Sequence, residues 1–484
     1  MKNIFFLSIL LLVGAPLAFS VSRFQPAQTA TVRDIGSRLE LFVDQYLVDR
    51  VQGVNFVLQT PTDAGEVLRF DKPWEGAFAG YCTVIKDGDL FRLYYRGLPL
   101  ARQDGSTSET TCYAESRDGL TWTKPDLGLY EVMGTRRNNV ILADSAPLSH
   151  NFSPLLDARP GVPANEKFKA LAGTKKSGLF ALTSADGIRW RKLSEQPVFT
   201  EGDFDSQNLA FWSESEQQYV CYFRVFRNRI RTIARTTSPD FLHWSQPADM
   251  GFGDAPVEHL YTNQTHPYFR APHIYLGIAA RFMPGRQVLS EAQARAINVD
   301  PGYFRDCSDS VLLTSRGGNR YERQFLEALL KPDLGMENWT SRTNYPALNI
   351  VPTGTGEMSF YVQKHYGQPT HHLRRYKLRT DGLVAAHAPY RGGELLTHPL
   401  KFTGKTLLIN FATSAAGGVR VELQDAIGQP LPGFALADSV EQIGNELERV
   451  VTWKSGGDVS ALAGRTVRLR FVMKDAELFS LRFR

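Results

Sequence analysis

One short pattern recurs along this chain and constrains its fold more than any other feature. It reads Ser-Arg-Asp-Gly-Leu-Thr-Trp over 116–122, Ser-Ala-Asp-Gly-Ile-Arg-Trp over 184–190 and Ser-Pro-Asp-Phe-Leu-His-Trp over 238–244, with weaker copies over 315–321 and 379–383. Asp-Gly favours a tight turn, because both residues tolerate positive φ and the aspartate side chain bonds the local backbone. A short pattern that recurs along a chain in this way is typical of an array of similar structural units. We therefore expect five units built around the same turn.

Each copy of the turn follows a strand-like run that is rich in aromatic and β-branched residues, and another apolar segment precedes each run. The runs are 91–95, 168–172, 219–224, 274–282 and 358–362. This order predicts an all-β chain with a five-bladed β-propeller over 37–390. A β-sandwich of duplicated hairpins is the alternative, but it does not explain the recurring turn. The recurrent aspartates are interpreted as turn residues: Asp118, Asp186, Asp240 and Asp381.

Two further segments depart from the repeat. Residues 391–484 carry short alternating strands separated by glycine-containing breakers, and they contain no copy of the Asp-Gly-x-x-Trp pattern. They predict a C-terminal β-sandwich that acts as an accessory domain. Within the fourth unit, residues 290–297 predict a short helix with Ser290 as its N-cap. Such an insertion is expected on one face of the propeller disc.

The N-terminus has the pattern of a secretory signal peptide over 1–20. Lys2 precedes an apolar run over 4–12, and small residues follow at Ala15, Ala18 and Ser20. The protein is therefore expected to be secreted or periplasmic. An uncleaved membrane anchor is the alternative reading of the same segment. No later apolar run is long enough to predict a transmembrane helix.

Charge and cysteine content exclude several classes of function. The chain has 55 Lys and Arg against 50 Asp and Glu, a net charge of +5, and the basic residues are scattered. Nucleic-acid binding is therefore not expected. The four cysteines form neither a disulfide framework nor a metal-binding spacing, and one oxidised pair or buried free thiols both remain open: Cys82, Cys112, Cys221 and Cys307. No cofactor motif and no metal site are predicted.

The predicted architecture resembles that of known carbohydrate-active enzymes. A secreted five-bladed propeller followed by a β-sandwich is similar to glycoside hydrolases of the invertase and fructanase type. The propeller alone resembles the arabinanase, β-xylosidase and anhydro-galactosidase types. Those families place an aspartate at the start of the first inner strand, whereas 80–85 here reads Gly-Tyr-Cys-Thr-Val-Ile. Absence of the Trp-Met-Asn-Asp-Pro-Asn and Arg-Asp-Pro motifs excludes an ordinary invertase. The opening of the domain, 40–47, also resembles a group of exported bacterial proteins.

Propeller geometry indicates where a site would lie. Inner and third strands begin on one face of the disc, and second strands end there. Glycoside hydrolysis needs two carboxyl groups, one protonated and one ionised. Asp205 is the first catalytic candidate, because it precedes an inner strand where the resembling families place an essential acid. Glu75 and Glu258, each just before another inner strand, are the second candidates. A strand-capping role for Asp205, and solvated-loop roles for the two glutamates, are the alternatives.

The remaining candidates are polar or aromatic side chains expected at the same rim. Arg270 and Arg342 are suited to a substrate carboxylate or sulfate, with a salt bridge between blades as the alternative. Adjacent residues on a strand point to opposite faces, so His371 and His372 do not predict a shared metal site. The predicted substrate-binding residues are Trp74, Asn151, Gln207, Asn208, Arg224, Gln264, His266, Arg270, Arg281, Asp309 and Arg342.

Three functions are consistent with these features. The first is a secreted glycoside hydrolase acting on a plant or algal polysaccharide or its oligosaccharides through a carboxylate pair. The second is a non-catalytic carbohydrate-binding propeller. The third is a lyase or sialidase-like enzyme, in which a Tyr, His or Arg cluster replaces the carboxylate pair. All three make a carbohydrate the expected partner.

Overall fold

The computed structural model describes residues 31–484, so the signal peptide expected over 1–20 lies outside the described residues. Within the described range the chain is almost entirely β-structure, with α1 (Glu291–Ala296) as its one α-helix. Three short 3-10 turns also occur, at Ala164–Glu166, Met336–Trp339 and Ser460–Leu462. None of the helices in this range has the length and apolar character needed to cross a membrane.

The N-terminal segment contributes five strands to structures completed much later in the chain. They are β1 (Arg33–Gly36), β2 (Glu40–Leu41), β3 (Val48–Gln52), β4 (Asn55–Leu58) and β5 (Thr62–Arg69). The first four pair with C-terminal strands, whereas β5 joins the propeller. The propeller therefore receives its first strand from the segment that precedes the first complete blade.

The first three blades are four-stranded antiparallel sheets. Blade one contains β6 (Gly80–Asp87), β7 (Leu90–Gly97), β8 (Thr110–Ser116) and β9 (Val140–Leu142). Blade two contains β10 (Ser153–Leu156), β11 (Phe168–Thr174), β12 (Gly178–Ser184) and β13 (Arg191–Lys192). Blade three contains β14 (Leu209–Ser213), β15 (Gln218–Arg227), β16 (Ile230–Ser238) and β17 (Ala248–Asp249).

The last two blades are less regular. Blade four divides its inner position between β18 (Leu260–Thr262) and β19 (Thr265–Tyr268), both paired with β20 (Ala271–Met283), and it ends with β21 (Cys307–Ser315). Blade five contains β22 (Tyr345–Pro346), β23 (Val351–Gly354), β24 (Glu357–Lys364) and β25 (His372–Arg379). Its outermost strand is β5, which pairs antiparallel with β25. This pairing closes the ring and confirms a propeller of five blades.

The C-terminal domain is a β-sandwich that also uses the N-terminal strands. Its own strands are β26 (Val384–Ala388), β27 (Gly393–Thr397), β28 (Leu400–Phe402), β29 (Leu407–Gln424), β30 (Asn445–Val450) and β31 (Arg468–Phe483). Strand β31 pairs with β2, β26, β27 and β29, and β1 pairs with β28. The observed domain therefore combines 33–58 with the chain after about 383, whereas the sequence assigned 37–390 to the propeller and 391–484 to the sandwich.

The repeated turns have a common local structure. In blade one, the Asp118 carboxylate accepts hydrogen bonds from the backbone N–H groups of Leu120 and Thr121 and from the Ser116 hydroxyl. Those backbone bonds lower the pKa of Asp118 to about 2. The same bonds recur at Asp186 and Asp240, which confirms that these aspartates belong to the architecture. The following tryptophan packs against the blade, as Trp190 does edge-on to Phe152.

The fourth recurrent aspartate has an additional role. Asp381 is fully buried and accepts hydrogen bonds from Tyr268, Arg270, Asn410 and Ser480. Because Asn410 and Ser480 belong to sandwich strands, this carboxylate joins the two domains. The turn expected from sequence is present, but its aspartate also fixes the sandwich against blades four and five.

The insertion in blade four covers one side of the disc. Its helix α1 begins at Ser290, whose hydroxyl accepts the Gln293 N–H in a capping box, as the sequence predicts. Tyr303 and Phe304 then pack against Phe78 of blade one. All four cysteines are buried free thiols in the structure, which decides between the two alternatives that the sequence left open.

Candidate functional site

Side chains from all five blades meet where the inner strands begin. Their contacts form a closed ring, which we call the funnel and define by Arg96, Glu109, His150, Asp205, Arg224, Tyr261, Arg342 and Tyr366. Each of these contacts joins residues of the same blade or of neighbouring blades, and together they lead from blade one through blade five and back to blade one. These residues therefore share one mouth of the central channel.

Asp205 is a solvent-accessible carboxylate of the funnel. It lies in the segment that leads into β14, and 56% of its side chain is exposed. One carboxylate oxygen pairs with Arg224 at 3.1 Å. The other lies 4.0 Å from Nε2 of His150. A carboxylate that is accessible, charge-paired and next to an imidazole is suited to acting on a bound substrate.

His150 is held in one orientation by the groups behind it. Its Nδ1 lies 3.0 Å from the Glu109 carboxylate, and that carboxylate also accepts the Gly105 N–H. Glu109 is fully buried. The Asn151 amide donates to Nε2 at 2.9 Å. With Nδ1–H donating to Glu109, Nε2 is the imidazole nitrogen that faces Asp205.

Tyr261 lies between three guanidinium groups on the opposite side of the funnel. The distances from its ring centroid to the guanidinium carbons are 4.9 Å for Arg224, 5.0 Å for Arg231 and 5.4 Å for Arg342. The Tyr345 ring lies 5.2 Å away. Stacked guanidinium and aromatic groups of this kind form a positively charged wall with flat apolar faces.

Asp306 is a second carboxyl group on this wall. It directly precedes β21 and is partly buried, and its Oδ1 has no hydrogen-bond partner. Burial raises the pKa of Asp306, and Arg342 and Arg231 oppose that shift by their charge. Asp306 also acts electrostatically on Tyr345, whose ring contacts Tyr261. This placement extends the funnel wall to Asp306.

Four of the residues predicted from sequence contribute directly to the funnel: Asp205, Asn151, Arg224 and Arg342. Gln207 and Gln264 lie deeper in the channel. The Gln264 amide donates to the Gln207 side chain and to the Pro346 carbonyl, and Gln207 donates to the Cys82 carbonyl. These amides link blades three, four, five and one beneath the funnel.

Glu75 and Trp74 lie inside the blade-one core instead of at the funnel. The Glu75 carboxylate is fully buried, pairs with Lys124 at 2.7 Å and accepts the Tyr95 hydroxyl. The Trp74 indole N–H donates to Asn139 at 2.8 Å. Both groups are satisfied by neighbouring protein atoms, so the structure gives them a packing role.

Glu258, Arg281 and Asp309 form an ion-pair network. Arg281 binds Asp309 with two parallel hydrogen bonds of 2.6 and 2.8 Å, and it also contacts Glu258 at 3.1 Å. The other Glu258 oxygen pairs with buried Arg323 at 2.6 Å. The structure does not bring this network into the ring of funnel contacts.

The other predicted residues have partners elsewhere. His266 lines a cavity of about 320 Å³ together with Leu155 and Ile350, at the opposite ends of the inner strands. Both of its ring nitrogens bond backbone groups. Arg270 joins Asp381 and Glu448 across the domain boundary. Asn208 donates to the Phe204 and Ser206 carbonyls of its own loop.

Several residues of the funnel and of its surroundings were not identified from the sequence; among them, the Tyr81 ring lies against Arg96, and Asp104 pairs with Arg96. They are Tyr81, Arg96, Asp104, Glu109, Arg231, Tyr261, Asp306 and Tyr345. A usable signal existed, because second strands end and third strands begin at this rim. Arg96 ends β7, Glu109 immediately precedes β8, and Asp306 immediately precedes β21. The same rule selected Asp309, which is already inside β21. Among residues 31–484, no group of three His, Cys, Asp or Glu side chains is arranged to hold a metal ion.

Solved structures with a similar architecture include carbohydrate-active enzymes. One described as a glycoside hydrolase is 9% identical, over 66% of this chain and 92% of its own, with a TM-score of 0.43. An N-acetylgalactosamine deacetylase from F. plautii, in complex with blood group B trisaccharide, is 13% identical over 69% and 97%, with a TM-score of 0.42. A Bombyx mori β-fructofuranosidase is 10% identical over 87% and 94%, with a TM-score of 0.39. No protein-family model and no curated protein matches the chain.

Proposed function

We propose that this protein is a glycoside hydrolase that uses Asp205 and Asp306 as its two carboxyl groups. The observation that carries the proposal is the contrast between them within one funnel. Asp205 is accessible and paired with Arg224, whereas burial raises the pKa of Asp306. Glycosidases need one ionised and one protonated carboxyl group, and different surroundings provide that difference. The pair replaces the sequence-derived set of Asp205, Glu75 and Glu258.

Asp306 has the role of general acid in this proposal. A protonated carboxyl group donates its proton to the glycosidic oxygen as the bond to the leaving sugar breaks. Burial raises the pKa of Asp306, which favours the protonated form that a general acid needs, and its buried Oδ1 has no hydrogen-bond partner within residues 31–484. Asp205 acts on the other side of the scissile bond, as nucleophile or as the base that activates water.

The Glu109–His150 pair supports Asp205 from behind. Glu109 fixes the imidazole, and the Nε2 atom of His150, which accepts the Asn151 amide N–H, lies 4.0 Å from the Asp205 carboxylate. An imidazole held at that position shapes the space in which a substrate hydroxyl or the attacking water meets Asp205. His150 and Glu109 are thus positioning residues in this proposal.

The test is release of reducing ends from a panel of plant and algal polysaccharides and their oligosaccharides. Asp205→Asn and Asp306→Asn should each lower kcat by roughly 10²- to 10⁴-fold on the substrate that the wild type cleaves. Asp249→Asn is the matched control, because Asp249 is a half-exposed aspartate of the same blade that pairs with Arg227. Full activity in either funnel variant would remove that residue from the proposal.

A non-catalytic carbohydrate-binding propeller is the second candidate. It is favoured by one observation, namely that Glu75 and Glu258 are fully engaged in ion pairs and that Asp205 is itself paired with Arg224. Binding of a glycan in the funnel without any bond cleavage over the whole panel would support this candidate. Turnover that depends on Asp205 would exclude it.

We also propose that the protein is exported and acts outside the cytoplasm. The support is the basic, apolar and small-residue order over 1–20. N-terminal sequencing of the mature protein should show cleavage near Ser20. A full-length protein retained in the membrane would instead support the anchor alternative.

A further inference from the structure

Three arginines belong to the funnel and a fourth, Arg231, lies on its wall beside Tyr261; within residues 31–484, two of these four pair with a neighbouring carboxylate. Arg96 pairs with Asp104 at 2.7 Å and lies 3.9 Å from Glu109. Arg224 pairs with Asp205 at 3.1 Å. These two guanidinium groups have the partners that buried charges require.

Arg231 and Arg342 differ from this pair. Within residues 31–484 neither side chain forms an ion pair, and the contact of Arg342 with the Tyr366 hydroxyl is long, at 3.5 Å. The Nε of Arg231 is buried and has no hydrogen-bond partner. Both side chains are partly buried. Removing an unpaired charge from water is unfavourable, so these two guanidinium groups do not stabilise the fold through their charge.

The two guanidinium groups are held by aromatic rings. Arg231 lies over Phe226, Tyr261 and Phe282, and Arg342 lies over Tyr261 and Tyr303 at 5.4 and 5.1 Å. Stacking occupies the flat faces of a guanidinium group and leaves the N–H groups at its edge free. Those edges are suited to the oxygens of a carboxylate or a sulfate.

The acidic groups that act on these two arginines form no ion pair with them. Asp306 acts on both arginines through its charge but makes an ion pair with neither. As the proposed general acid, it is neutral when the substrate is bound. The wall around Tyr261 then carries two positive charges without an ion-paired carboxylate, although Asp104, which pairs with Arg96, acts on Arg342 through its charge.

We infer that the funnel selects an anionic sugar, whose carboxylate or sulfate ester is bound by Arg231 and Arg342 beside Tyr261. The inference rests on the proposed function for the placement of the sugar in the funnel, and it adds the class of substrate. Uronic acids and sulfated sugars share the required chemistry, since each presents coplanar or clustered anionic oxygens to an arginine edge.

The test measures binding separately from cleavage. Isothermal titration with the Asp306→Asn protein, in which Arg224 keeps its Asp205 partner, compares galacturonate and glucuronate oligomers, galactose 6-sulfate, and the neutral galactose and glucose counterparts. Anionic probes should bind at least roughly tenfold more tightly than neutral ones, which corresponds to one charge-assisted hydrogen bond. Preference for the uronates over the sulfated sugar, or the reverse, identifies the source of the anion.

Arg342→Met and Arg231→Met keep most of the aliphatic stem and should each abolish the preference for the anion without weakening the neutral probes. Arg227→Met is the control, because Arg227 is an exposed arginine of blade three that pairs with Asp249. In case either funnel variant fails to fold, wild-type affinity for the anionic probe should fall with rising ionic strength, whereas affinity for the neutral probe should not.

The results separate the inference from the proposed function. Anion-selective binding without cleavage of any glycan would leave the inference in place and overturn the hydrolase proposal. Cleavage of neutral glycans with no preference for anionic probes would overturn the inference alone. Equal binding of neutral and anionic probes, or no binding of the anionic probes at all, would also overturn it.

Discussion

The starts of the inner strands in blades one and three look alike in sequence but differ in the folded protein. Each has an acidic residue shortly before an apolar strand, Glu75 before β6 and Asp205 before β14. Glu75 is fully buried between Lys124 and Tyr95, whereas more than half of the Asp205 side chain is exposed in the funnel. The first carboxylate stabilises a blade, and the second is available to a ligand.

The difference follows from which protein groups reach each carboxylate. The Glu75 oxygens accept hydrogen bonds from Tyr95, Lys124 and the Lys72 backbone N–H. Asp205 has one ion pair and one more distant imidazole neighbour. A buried carboxylate with all its partners has no remaining capacity for chemistry, while an accessible one retains it.

The largest expected effect is on the stability of blade one. Glu75→Gln should lower the free energy of unfolding by about 3 to 5 kcal/mol, because it removes the buried one of the two carboxylates that pair with Lys124. Denaturant unfolding measures this change, and kcat per folded molecule should stay the same. Asp71→Asn removes the exposed partner of Lys124 and should change stability by at most about 1 kcal/mol. A loss of kcat without a loss of stability would place Glu75 at the site instead.

The two channel histidines should also have different effects: His266 should affect the stability of the fold, whereas His150 should affect activity. Burial lowers the pKa of His266 to about 4, below about 6.5 in an unfolded chain. The unfolded state then binds more protons between these values, so stability should fall by up to about 3 kcal/mol as the pH decreases from 6.5 towards 4. His266→Gln should flatten this dependence in urea unfolding measured across the range. If His266→Gln left the dependence of stability on pH unchanged, the lowered pKa of His266 would not be its cause.

Removing the carboxylate of Glu258 should lower the stability of the fold by a smaller amount. Glu258→Gln leaves Arg281 paired with Asp309 but removes the carboxylate that pairs with Arg323. We therefore expect the free energy of unfolding to fall by about 1 to 3 kcal/mol. Thermal unfolding measures the loss. Glu195→Gln is a suitable control, because Glu195 is an exposed residue that pairs with Lys192 on the surface. If Glu258→Gln instead abolished activity in a fully stable protein, Glu258 would have to be returned to the catalytic set.

The smallest effect is expected behind Asp205. Glu109→Gln keeps a hydrogen-bond acceptor for His150 but removes the charge, so kcat should fall about tenfold with little change in KM. Steady-state kinetics of folded protein measure both constants. Glu109→Asp should restore part of kcat, which a purely structural defect would not predict. Equal losses in kcat and stability, without rescue, would reduce Glu109 to a packing residue.

The sequence predicted the architecture well and the site only in part. The repeated turns gave five blades, because Asp118, Asp186 and Asp240 each form the same local hydrogen bonds that their sequence allows. Asn151, Asp205, Arg224 and Arg342, which the sequence analysis selected as site candidates, lie at the funnel, and their roles stay predictions. Glu75 and Glu258 were not separable from Asp205, because burial and ion-pair partners come from distant parts of the chain. Lys124 pairs with Glu75 and Arg323 pairs with Glu258, and neither partner can be recognised from the sequence around the glutamate.

By itself, the sequence determined the blades, the turns, the capped helix at Ser290 and the all-β class, since each depends on hydrogen bonds and periodicity within a few residues. The tertiary structure alone decided that 33–58 complete the sandwich and that β5 closes the fifth blade. It also decided that Asp205 and Asp306, about a hundred residues apart, share a funnel. The physical reason is ring closure, which brings together strand ends whose distance in the chain carries no information about their distance in space.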